Sequence, residues 1–265
     1  MEFYKDIFVI LTYKNTEDIL ELLESIHRTL ESCKVIIVNS FYDEETKNKF
    51  AEIAKENHCD YIPVENKGYG YGNNKGIAFA KDNYEFDRIV ISNPDITIEE
   101  YNTKELDLLS DGVIGGIIIN ARGRNQNPLR VSDWDFTNYS PYYLYVKKNR
   151  AAFYFSILFA KLQRVKLLFT GSKKKVFSIH GSFLAIPRAV LEKVPVLYDE
   201  NLFLFEEEID IAKLLKSKGI ATYYTKAIRV NHKEDGDVSV SNLNNAKLMA
   251  DSLNYVRNKW SGDRR

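Results

Sequence analysis

Cysteine is scarce in this chain of 265 residues, which carries only Cys33 and Cys59. The two cysteines form no CxxC pair and have no histidine at the spacing of a zinc site. This excludes a disulfide framework and a metal site built on cysteines. Because disulfides are rare in reducing compartments, we expect two reduced and partly buried thiols in a cytosolic protein.

An excess of charge and a long apolar run are also missing. The chain has 37 Lys and Arg against 37 Asp and Glu, so its formal net charge is zero and we expect no nucleic-acid partner. No stretch of about 20 uncharged apolar residues occurs, so we expect no membrane-spanning helix. Residues 1–6 lack the basic and then apolar pattern of a signal peptide, so we expect a cytoplasmic location.

Acidic residues are missing from residues 136–191. Aromatic and aliphatic side chains lie between the basic ones, and this pattern favours contact of residues 136–178 with an anionic membrane surface, where each basic residue contributes about 1 kcal/mol. A helix packed on the domain with a solvated basic face, or a site for a polyanionic acceptor, would have the same composition. The basic residues are Lys147, Lys148, Arg150, Lys161, Arg164, Lys166, Lys173, Lys174, Lys175 and Arg188.

The first half of the chain alternates strand-like and helical segments. Continuous apolar strands separated by helices predict an α/β fold, in which a mostly parallel sheet is covered by helices on both faces. Ligands of such sheets bind beyond the carboxyl ends of the strands. We expect one domain over residues 1–240 and a helical tail over 241–265. The predicted strands are residues 7–12, 35–38, 60–64, 88–92 and 113–120.

A glycine-rich run, Asn-Lys-Gly-Tyr-Gly-Tyr-Gly-Asn-Asn-Lys-Gly, covers residues 66–76 and follows the third predicted strand. Its glycines predict a loop, and Gly76 is expected to open the next helix. A strand, a glycine-rich loop and a helix N-terminus together suit a phosphate, because backbone N–H groups and the helix end both attract an anion. A flexible surface turn is the alternative.

Three short clusters lie where strands are predicted to end or helices to begin. The carboxylate of Asn93-Pro94-Asp95 can hold a divalent cation together with substrate phosphates, although this tripeptide is also a common turn. The run Glu206-Glu207-Glu208 follows an expected aromatic strand. Repulsion among its carboxylates raises at least one pKa and favours a general base, whereas acidic residues also suit a helix N-terminus. His232 ends a late strand and can be a ligand, although a lone histidine is more often structural.

Taken in order, these segments resemble the family 2 glycosyltransferases, which are inverting sugar transferases of the GT-A type. The resemblance is closest to the rhamnosyltransferase-like branch that builds bacterial cell-surface polysaccharides, and it extends from about Ile7 to Ser239. Its most specific part is the glycine-rich run, which fits the family's loop position by position. The other matching segments are the first strand at 9–13, Asn93-Pro94-Asp95, Gly181-Ser182-Phe183, residues 205–210 and His232.

Three positions depart from the family pattern. Val38-Asn39 stands where the family usually has Asp-Asn, which contacts the nucleobase. Glu208 replaces the usual aspartate base and is one methylene longer, and Leu214 stands where an arginine is often found. These departures leave the core constellation in place but make the donor harder to name.

The resemblance implies a GT-A, Rossmann-like fold with a basic amphipathic helical insertion and a C-terminal helical tail. It implies transfer of a sugar from a nucleotide-diphosphate donor, dTDP-rhamnose or a UDP-sugar, to a hydroxyl of a lipid-linked or polysaccharide acceptor. The reaction would invert the anomeric carbon and use Mg²⁺ or Mn²⁺. The protein would lie in peripheral contact with the inner face of the cell membrane, and a homo-oligomer is left open.

The resemblance also implies roles for individual residues. Glu208 would be the catalytic base, with Glu207 as the next candidate. Asp95 and His232 would hold the metal, and Gly181 and Ser182 would lie on the acceptor side. The donor-binding residues would be Thr12, Tyr13, Asn39, Asn66, Gly68, Tyr69, Gly72, Asn74, Asn93 and Asp95.

Two other functions are weighed against transfer. A nucleotidyltransferase needs a glycine-rich basic loop directly after the first strand, whereas residues 13–16 read Tyr-Lys-Asn-Thr. A non-catalytic module that binds a nucleotide or glycan would share the fold, and the presence of Asp95, Glu208 and His232 argues against it. A dehydrogenase is excluded because the glycine-rich run follows the third predicted strand and not the first.

Overall fold

The computed structural model describes residues 1–165, 173–234 and 243–262 of the chain. The strands are β1 (Glu2–Thr12), β2 (Lys34–Ser40), β3 (Asp60–Val64), β4 (Tyr84–Ser92), β5 (Ile96–Tyr101), β6 (Gly112–Asn120), β7 (Lys173–Val176), β8 (Phe183–Pro187) and β9 (Ala221–His232). The helices are α1 (Asp18–Thr29), α2 (Glu44–Glu56), α3 (Tyr69–Asn83), α4 (Thr103–Asp107), α5 (Asp135–Asn138), α6 (Ser140–Tyr145), α7 (Arg150–Val165), α8 (Arg188–Lys193), α9 (Glu207–Ser217) and α10 (Leu243–Lys259).

Within the described residues, the strands form one sheet in the order β3-β2-β1-β4-β8-β6-β9-β5, with β7 paired to β9. Strands β1, β2, β3, β4, β6 and β9 run in one direction, and β5, β7 and β8 run against them. The predicted α/β fold with a mostly parallel sheet is therefore confirmed. The carboxyl ends of the parallel strands meet at one edge, where Thr12 of β1 lies opposite Asn39 of β2.

Successive side chains of β1 point to opposite faces of the sheet. Phe8 and Ile10 pack with α1 and α2 on one face, while Ile7 and Val9 pack with α3, α8 and α9 on the other. All four side chains are fully buried. A strand that is apolar on both faces requires helices on both sides, which is why the chain alternates these elements.

The C-terminal helix α10 packs on the rest of the domain through a third apolar cluster. Leu253 and Val256 of α10 are buried against Tyr142 of α6 and Ile209 of α9. Ion pairing and hydrogen bonding add to this contact, since Lys259 Nζ and Trp260 Nε1 both donate to the carboxylate of Asp210. The predicted boundary at residue 240 lies outside the described residues, so the division into domain and tail stays a prediction.

Residues 66–68 of the glycine-rich run precede a helix, and residues 69–76 are helical and not the loop that the sequence predicts. Helix α3 begins at Tyr69, so that Gly70, Gly72 and Gly76 all lie inside it. A methyl group at Gly72 would lie 2.4 Å from Cδ1 of Leu11. Gly72 and Gly76 let α3 pack closely against β1, and Gly70 lets it approach Tyr198. These tertiary contacts override the low helix propensity of glycine.

Other boundaries also differ from expectation. The segment before the three glutamates is irregular and not the expected strand, and α9 begins at Glu207. Strands β5 and β7 were not anticipated; β5 follows Asp95 directly, and β7 lies inside the basic segment. Cys33 and Cys59 are free and partly buried, as expected.

We predict that Gly76→Ala destabilises the fold. The new methyl group would lie 2.3 Å from Cγ1 of Val9 and 2.8 Å from Cγ2 of Val38, which are both fully buried and cannot move aside. Overpacking of this kind costs about 1–3 kcal/mol in free energy of unfolding, measurable by urea denaturation. Asp82→Ala, on the exposed face of the same helix, is the control. Unchanged stability together with lost nucleotide binding would instead favour the phosphate-loop interpretation.

Candidate active site

Two cavities open at the carboxyl edge of the sheet and share part of their walls. The smaller one measures about 240 Å³ and lies between the end of β1 and the N-terminus of α3. The larger one measures about 570 Å³ and lies over the N-terminus of α9. Tyr69, Asn93, Asp95 and Leu204 line both cavities, so two ligands bound there would meet at these residues.

Most of the predicted donor-binding residues line the smaller cavity. The structure brings together there Thr12, Tyr13, Asn66, Gly68, Tyr69, Asn93 and Asp95. Asn39, Gly72 and Asn74 are not among its lining residues. Asn39 lies buried below the cavity, where its Nδ2 donates to Thr12 Oγ1 at 3.1 Å. Asn74 donates to the carbonyl of Tyr198 at 2.9 Å, and thus fixes the loop before α9.

Gly68 is required by its backbone conformation and by a close approach. Its φ of 111° is left-handed, and a Cβ would lie 2.5 Å from the carbonyl oxygen of Phe203. The next residue, Tyr69, donates its N–H to that same carbonyl at 2.8 Å. The start of α3 is therefore joined to the loop that precedes α9.

Tyr69 connects the two cavities through its hydroxyl group. The hydroxyl lies 3.0 Å from Oδ1 of Asn93 and 3.0 Å from the carbonyl of Gly181. Burial raises the pKa of Tyr69, so the phenol keeps its proton for these contacts. The ring thus holds the donor-side and acceptor-side segments in a fixed relation.

Asp95 and His232 face each other because of the strand register. Ile96 of β5 pairs with His232 of β9, so Asp95 lies beside the histidine. Oδ2 of Asp95 is 3.2 Å from Nε2 of His232, and both side chains are buried. The structure therefore brings together the two residues predicted to hold a metal.

Gln126 determines which nitrogen of His232 carries the proton. Nε2 of Gln126 lies 2.8 Å from the carboxylate of Glu234, which can only accept, so the amide orientation is fixed. The opposite end, Oε1, then accepts from Nδ1–H of His232 at 2.8 Å. In the neutral imidazole this leaves Nε2 without a proton, facing the carboxylate of Asp95.

The pair of electron-rich atoms, His232 Nε2 and Asp95 Oδ2, suits a divalent cation. Mg²⁺ and related ions use one or two carboxylates and complete their coordination with substrate phosphates and water. Among residues 1–165, 173–234 and 243–262, no group of three His, Cys, Asp or Glu side chains is close enough to hold a metal alone. The residues present thus fit a cation that is shared with a phosphate-bearing ligand.

Glu208 lies in the larger cavity beside the predicted acceptor segment. Its Oε1 accepts from the N–H of Gly181 at 3.2 Å, and Ser182 lines the same cavity. His180 lies within 2.9 Å of Ser182 Oγ, and burial lowers its pKa so that the ring is neutral. The predicted base and both predicted acceptor residues therefore lie in one cavity.

Glu206 and Glu207 differ in character from Glu208. Burial, followed by the charge of Glu208, raises the pKa of Glu206 to about 8 and that of Glu207 well above its ordinary value. Burial is thus a larger cause than the repulsion that the sequence suggests. Phe205 and Glu206 have φ angles of 75° and 69°, which are unusual for non-glycine residues and mark a strained turn at the site.

Sequence reasoning missed Gln126, His180 and Arg130, which all line or border this site. Gln126 follows β6 at the same carboxyl edge as Asp95, and that position was the available signal. Arg130 lines the larger cavity and donates to the carbonyls of Thr137 and Leu129. Its positive charge lowers the pKa of Glu206 and so opposes the effect of burial.

Comparison with known proteins gives one match to a family. Residues 7–106 match the family described as Glycosyl transferase family 2. The match includes the residues of the smaller cavity from β1, α3 and Asp95, but less than half of the chain. Glu208, His232 and most of the other residues that line the larger cavity lie beyond the matched residues, whereas Tyr69, Asn93 and Asp95 lie within them.

The chain is also similar to proteins of known name. It is 23% identical over 233 residues to the "Low-salt glycan biosynthesis hexosyltransferase Agl10" of Haloferax volcanii. The aligned region covers 86% of this chain and 67% of that protein. The structure of GalNAc-T7 with UDP, GalNAc and Mn²⁺ superposes on 98% of this chain with a TM-score of 0.69 at 13% identity. The structure of S. aureus TarS 1–349 superposes on this chain with a TM-score of 0.55 at 12% identity. The superposition covers 98% of this chain and 73% of the TarS chain. This chain spans 48% of the GalNAc-T7 structure, about half its length.

We predict that Gln126→Met weakens divalent-metal binding without unfolding the protein. Loss of the acceptor for Nδ1–H lets the His232 proton move to Nε2, which then donates to Asp95 in place of binding a cation. Loss of such a supporting hydrogen bond costs about 10–100-fold in metal affinity, measurable by calorimetric titration of Mn²⁺ with UDP present.

The tautomer change itself has a readout that needs no metal. Nitrogen NMR of the imidazole distinguishes an Nδ1–H from an Nε2–H histidine in the metal-free protein. The same exchange at the only other glutamine, Gln163→Met, is the control. An unchanged tautomer in Gln126→Met would show that Gln126 does not position His232.

We predict that the stability of the protein falls as the pH rises between the ordinary carboxyl pKa of 4.5 and the pKa of about 8 of Glu206. In this window the unfolded chain releases the proton while the folded chain keeps it, which costs about 1.4 kcal/mol per pH unit for each carboxyl. Urea denaturation across this range measures the slope. Glu206→Gln removes the contribution of one carboxyl group from this slope. Glu52→Gln, at an exposed position, leaves the slope unchanged. Equal slopes in all three proteins would contradict a buried, protonated Glu206.

Proposed function

We propose that the chain is a glycosyltransferase that moves a sugar from a nucleotide-diphosphate donor to an acceptor hydroxyl. The observation that carries this proposal is that two cavities meet at Asp95. One is lined by residues expected to bind the donor, and the other by Glu208, the expected base. The family match over residues 7–106 and the similarity to a hexosyltransferase support the same reaction class.

The smaller cavity is proposed for the nucleotide and its diphosphate. Thr12 and Tyr13 at the end of β1 would frame the nucleobase and ribose, while Gly68 and Tyr69 lie on the diphosphate side. The N-terminus of α3 faces this side, and its dipole favours an anion. The proposed donor is a UDP-sugar or dTDP-rhamnose. The presence of UDP, GalNAc and Mn²⁺ in the GalNAc-T7 structure makes UDP the first nucleotide to test.

Asp95 and His232 are proposed to hold Mg²⁺ or Mn²⁺. Their facing acceptor atoms, 3.2 Å apart, and the proton fixed on Nδ1 by Gln126 support this assignment. A cation held there would supply positive charge beside the departing nucleotide diphosphate. Asn93 and Tyr69 bridge this point to the acceptor side and would keep the two substrates aligned.

Glu208 is proposed to act as the general base. It would take the proton of an acceptor hydroxyl as that oxygen bonds to the anomeric carbon. The bond from the anomeric carbon to the diphosphate oxygen breaks, and its electron pair leaves with the nucleotide diphosphate. Attack from the face opposite the leaving group inverts the anomeric carbon. Glu206 and Glu207 hold their protons near neutral pH because their pKa values are raised, so they do not compete as bases.

The acceptor is proposed to be a lipid-linked sugar or a growing polysaccharide in cell-surface glycan synthesis. Leu129, Pro141 and Met249 give the larger cavity an apolar wall beside the carboxylate of Glu208. An acceptor with a hydroxyl next to an apolar portion would fit both features. Such an acceptor places the protein in peripheral contact with the inner face of the cell membrane.

We predict that Glu208→Gln lowers turnover of the sugar donor by about 10²–10⁴-fold, the contribution of a positioned base. Binding of UDP or dTDP with Mn²⁺ should change little, because Glu208 does not line the smaller cavity. Glu207→Gln is the matched control, and its smaller effect is expected because that side chain is already neutral. Turnover by released nucleotide and affinity by calorimetry measure the two properties separately.

The outcomes distinguish the alternatives. A larger loss in Glu207→Gln than in Glu208→Gln would transfer the role of base to Glu207. Metal-dependent binding of one nucleotide among UDP, dTDP, GDP and CDP would name the donor class. No binding of any of them, with Mn²⁺ or with EDTA, would contradict the transferase and favour a non-catalytic module.

A further inference from the structure

Helix α7 turns an apolar stripe toward solvent. The exposed fractions are 67% for Tyr154, 58% for Phe155, 51% for Leu158, 55% for Leu162 and 48% for Val165. These residues follow one another at intervals of three or four along one face of the helix, apart from the adjacent pair at 154 and 155. A helix on the surface of a globular domain normally turns such a stripe inward, so its outward direction calls for a partner.

Polar contacts hold the opposite face of α7 against the domain. Ser156 is buried, and Arg164 donates to the backbone carbonyls of Gln126 and Pro128. These contacts fix the rotation of the helix about its axis. The outward direction of the stripe is therefore built into the fold.

Aromatic residues extend the stripe at one edge. Phe159 is 42% exposed and packs edge-on against Trp134, which is 44% exposed. Phe136 completes this group of rings. Aromatic side chains of this kind are favoured at the boundary between lipid headgroups and acyl chains.

The surroundings of the stripe are basic. Lys147, Lys148 and Arg150 are exposed at the start of α7, and Lys161 is exposed along it. Residues 136–191 contain no Asp or Glu to balance them. Two copies of this chain joined through their stripes would bring these cations together, so the charge disfavours a second copy and favours an anionic surface.

We infer that α7 docks the protein on an anionic lipid surface, lying flat with its apolar stripe at the headgroup boundary and its basic residues among the phosphates. No helix among the described residues is long and apolar enough to cross a membrane. The inference depends on the proposed function only for the identity of the acceptor. Part of the basic segment predicted from the sequence, residues 166–172, lies outside the described residues and carries none of this inference.

The docking surface on α7 is connected to the larger cavity. Arg164 of α7 contacts the backbone of the Gln126 loop, and Gln126 hydrogen-bonds to His232. Helix α6 packs against α7 and supplies Pro141 to the wall of the larger cavity. Docking through α7 therefore brings the larger cavity, where the acceptor is proposed to bind, close to the lipid surface.

Sedimentation with lipid vesicles tests this inference on the chain of 265 residues. We expect binding to vesicles of phosphatidylcholine mixed with phosphatidylglycerol, and at least about tenfold weaker binding to phosphatidylcholine alone or at high salt. The double variant Phe155→Ser and Leu158→Ser should lose about tenfold or more in partitioning, because both side chains are exposed and their loss leaves the core intact. Leu108→Ser removes an apolar side chain that is 73% exposed elsewhere and is the matched control.

The possible results separate docking from catalysis. Vesicle binding that is absent in the wild type, or equal in the stripe variant and the control, would overturn the docking inference. A salt-independent dimer that dissociates in the stripe variant would assign the stripe to a second copy instead. Nucleotide binding, measured in the same variants without lipid, should stay at the wild-type level. Failure of nucleotide binding alone would contradict the proposed function and leave the docking result standing.

Discussion

The register of β9 against β5 and β6 is the constraint on which the candidate site depends. Pairing of His232 with Ile96 and with Asn120 brings together the turn that carries Asp95 and the loop that carries Gln126. A slip of one residue would turn His232 to the other face of the sheet and separate it from both. Ile228 and Val230 of β9 pack with buried apolar residues of the neighbouring strands β5 and β6, and this packing fixes the register. Core packing therefore determines the geometry of the polar site.

Several parts of the site were predictable from the sequence because their signal is local. Apolar strands followed by polar residues located Thr12, Asn93 and Asp95 at one edge of the sheet, and the structure places all three in the smaller cavity. The parts that were not predictable depend on long-range contacts. Gln126 meets His232 across 106 positions in the chain, and helix α3 begins at Tyr69, where Gly72 and Gly76 pack against β1.

The N-terminus of α9 shows how three identical residues acquire different properties. Glu206 and Glu207 are buried and keep their protons, whereas Glu208 accepts a hydrogen bond from Gly181 in the larger cavity. Phe205 and Glu206 form a left-handed turn directly before this helix. The neighbouring loop is in turn fixed by Tyr69, whose N–H donates to the carbonyl of Phe203, and by Gly68, which lies close against the backbone of Phe203. Local sequence could not separate the three glutamates, because their difference arises from burial.

The outward stripe of α7 and the two cavities impose a common orientation on the molecule. Burying a large apolar side chain stabilises a protein by about 1.5–3 kcal/mol. A helix that turns Ser156 and Arg164 inward and its apolar stripe outward lacks this stabilisation in water. The stabilisation is gained only if the stripe meets an apolar phase. In the proposed docked orientation the larger cavity, walled by Pro141 of α6, would lie near the lipid surface. The smaller cavity, which is proposed for the nucleotide, is also lined by Tyr13 and Lys14, and it shares Tyr69 and Asp95 with the larger one.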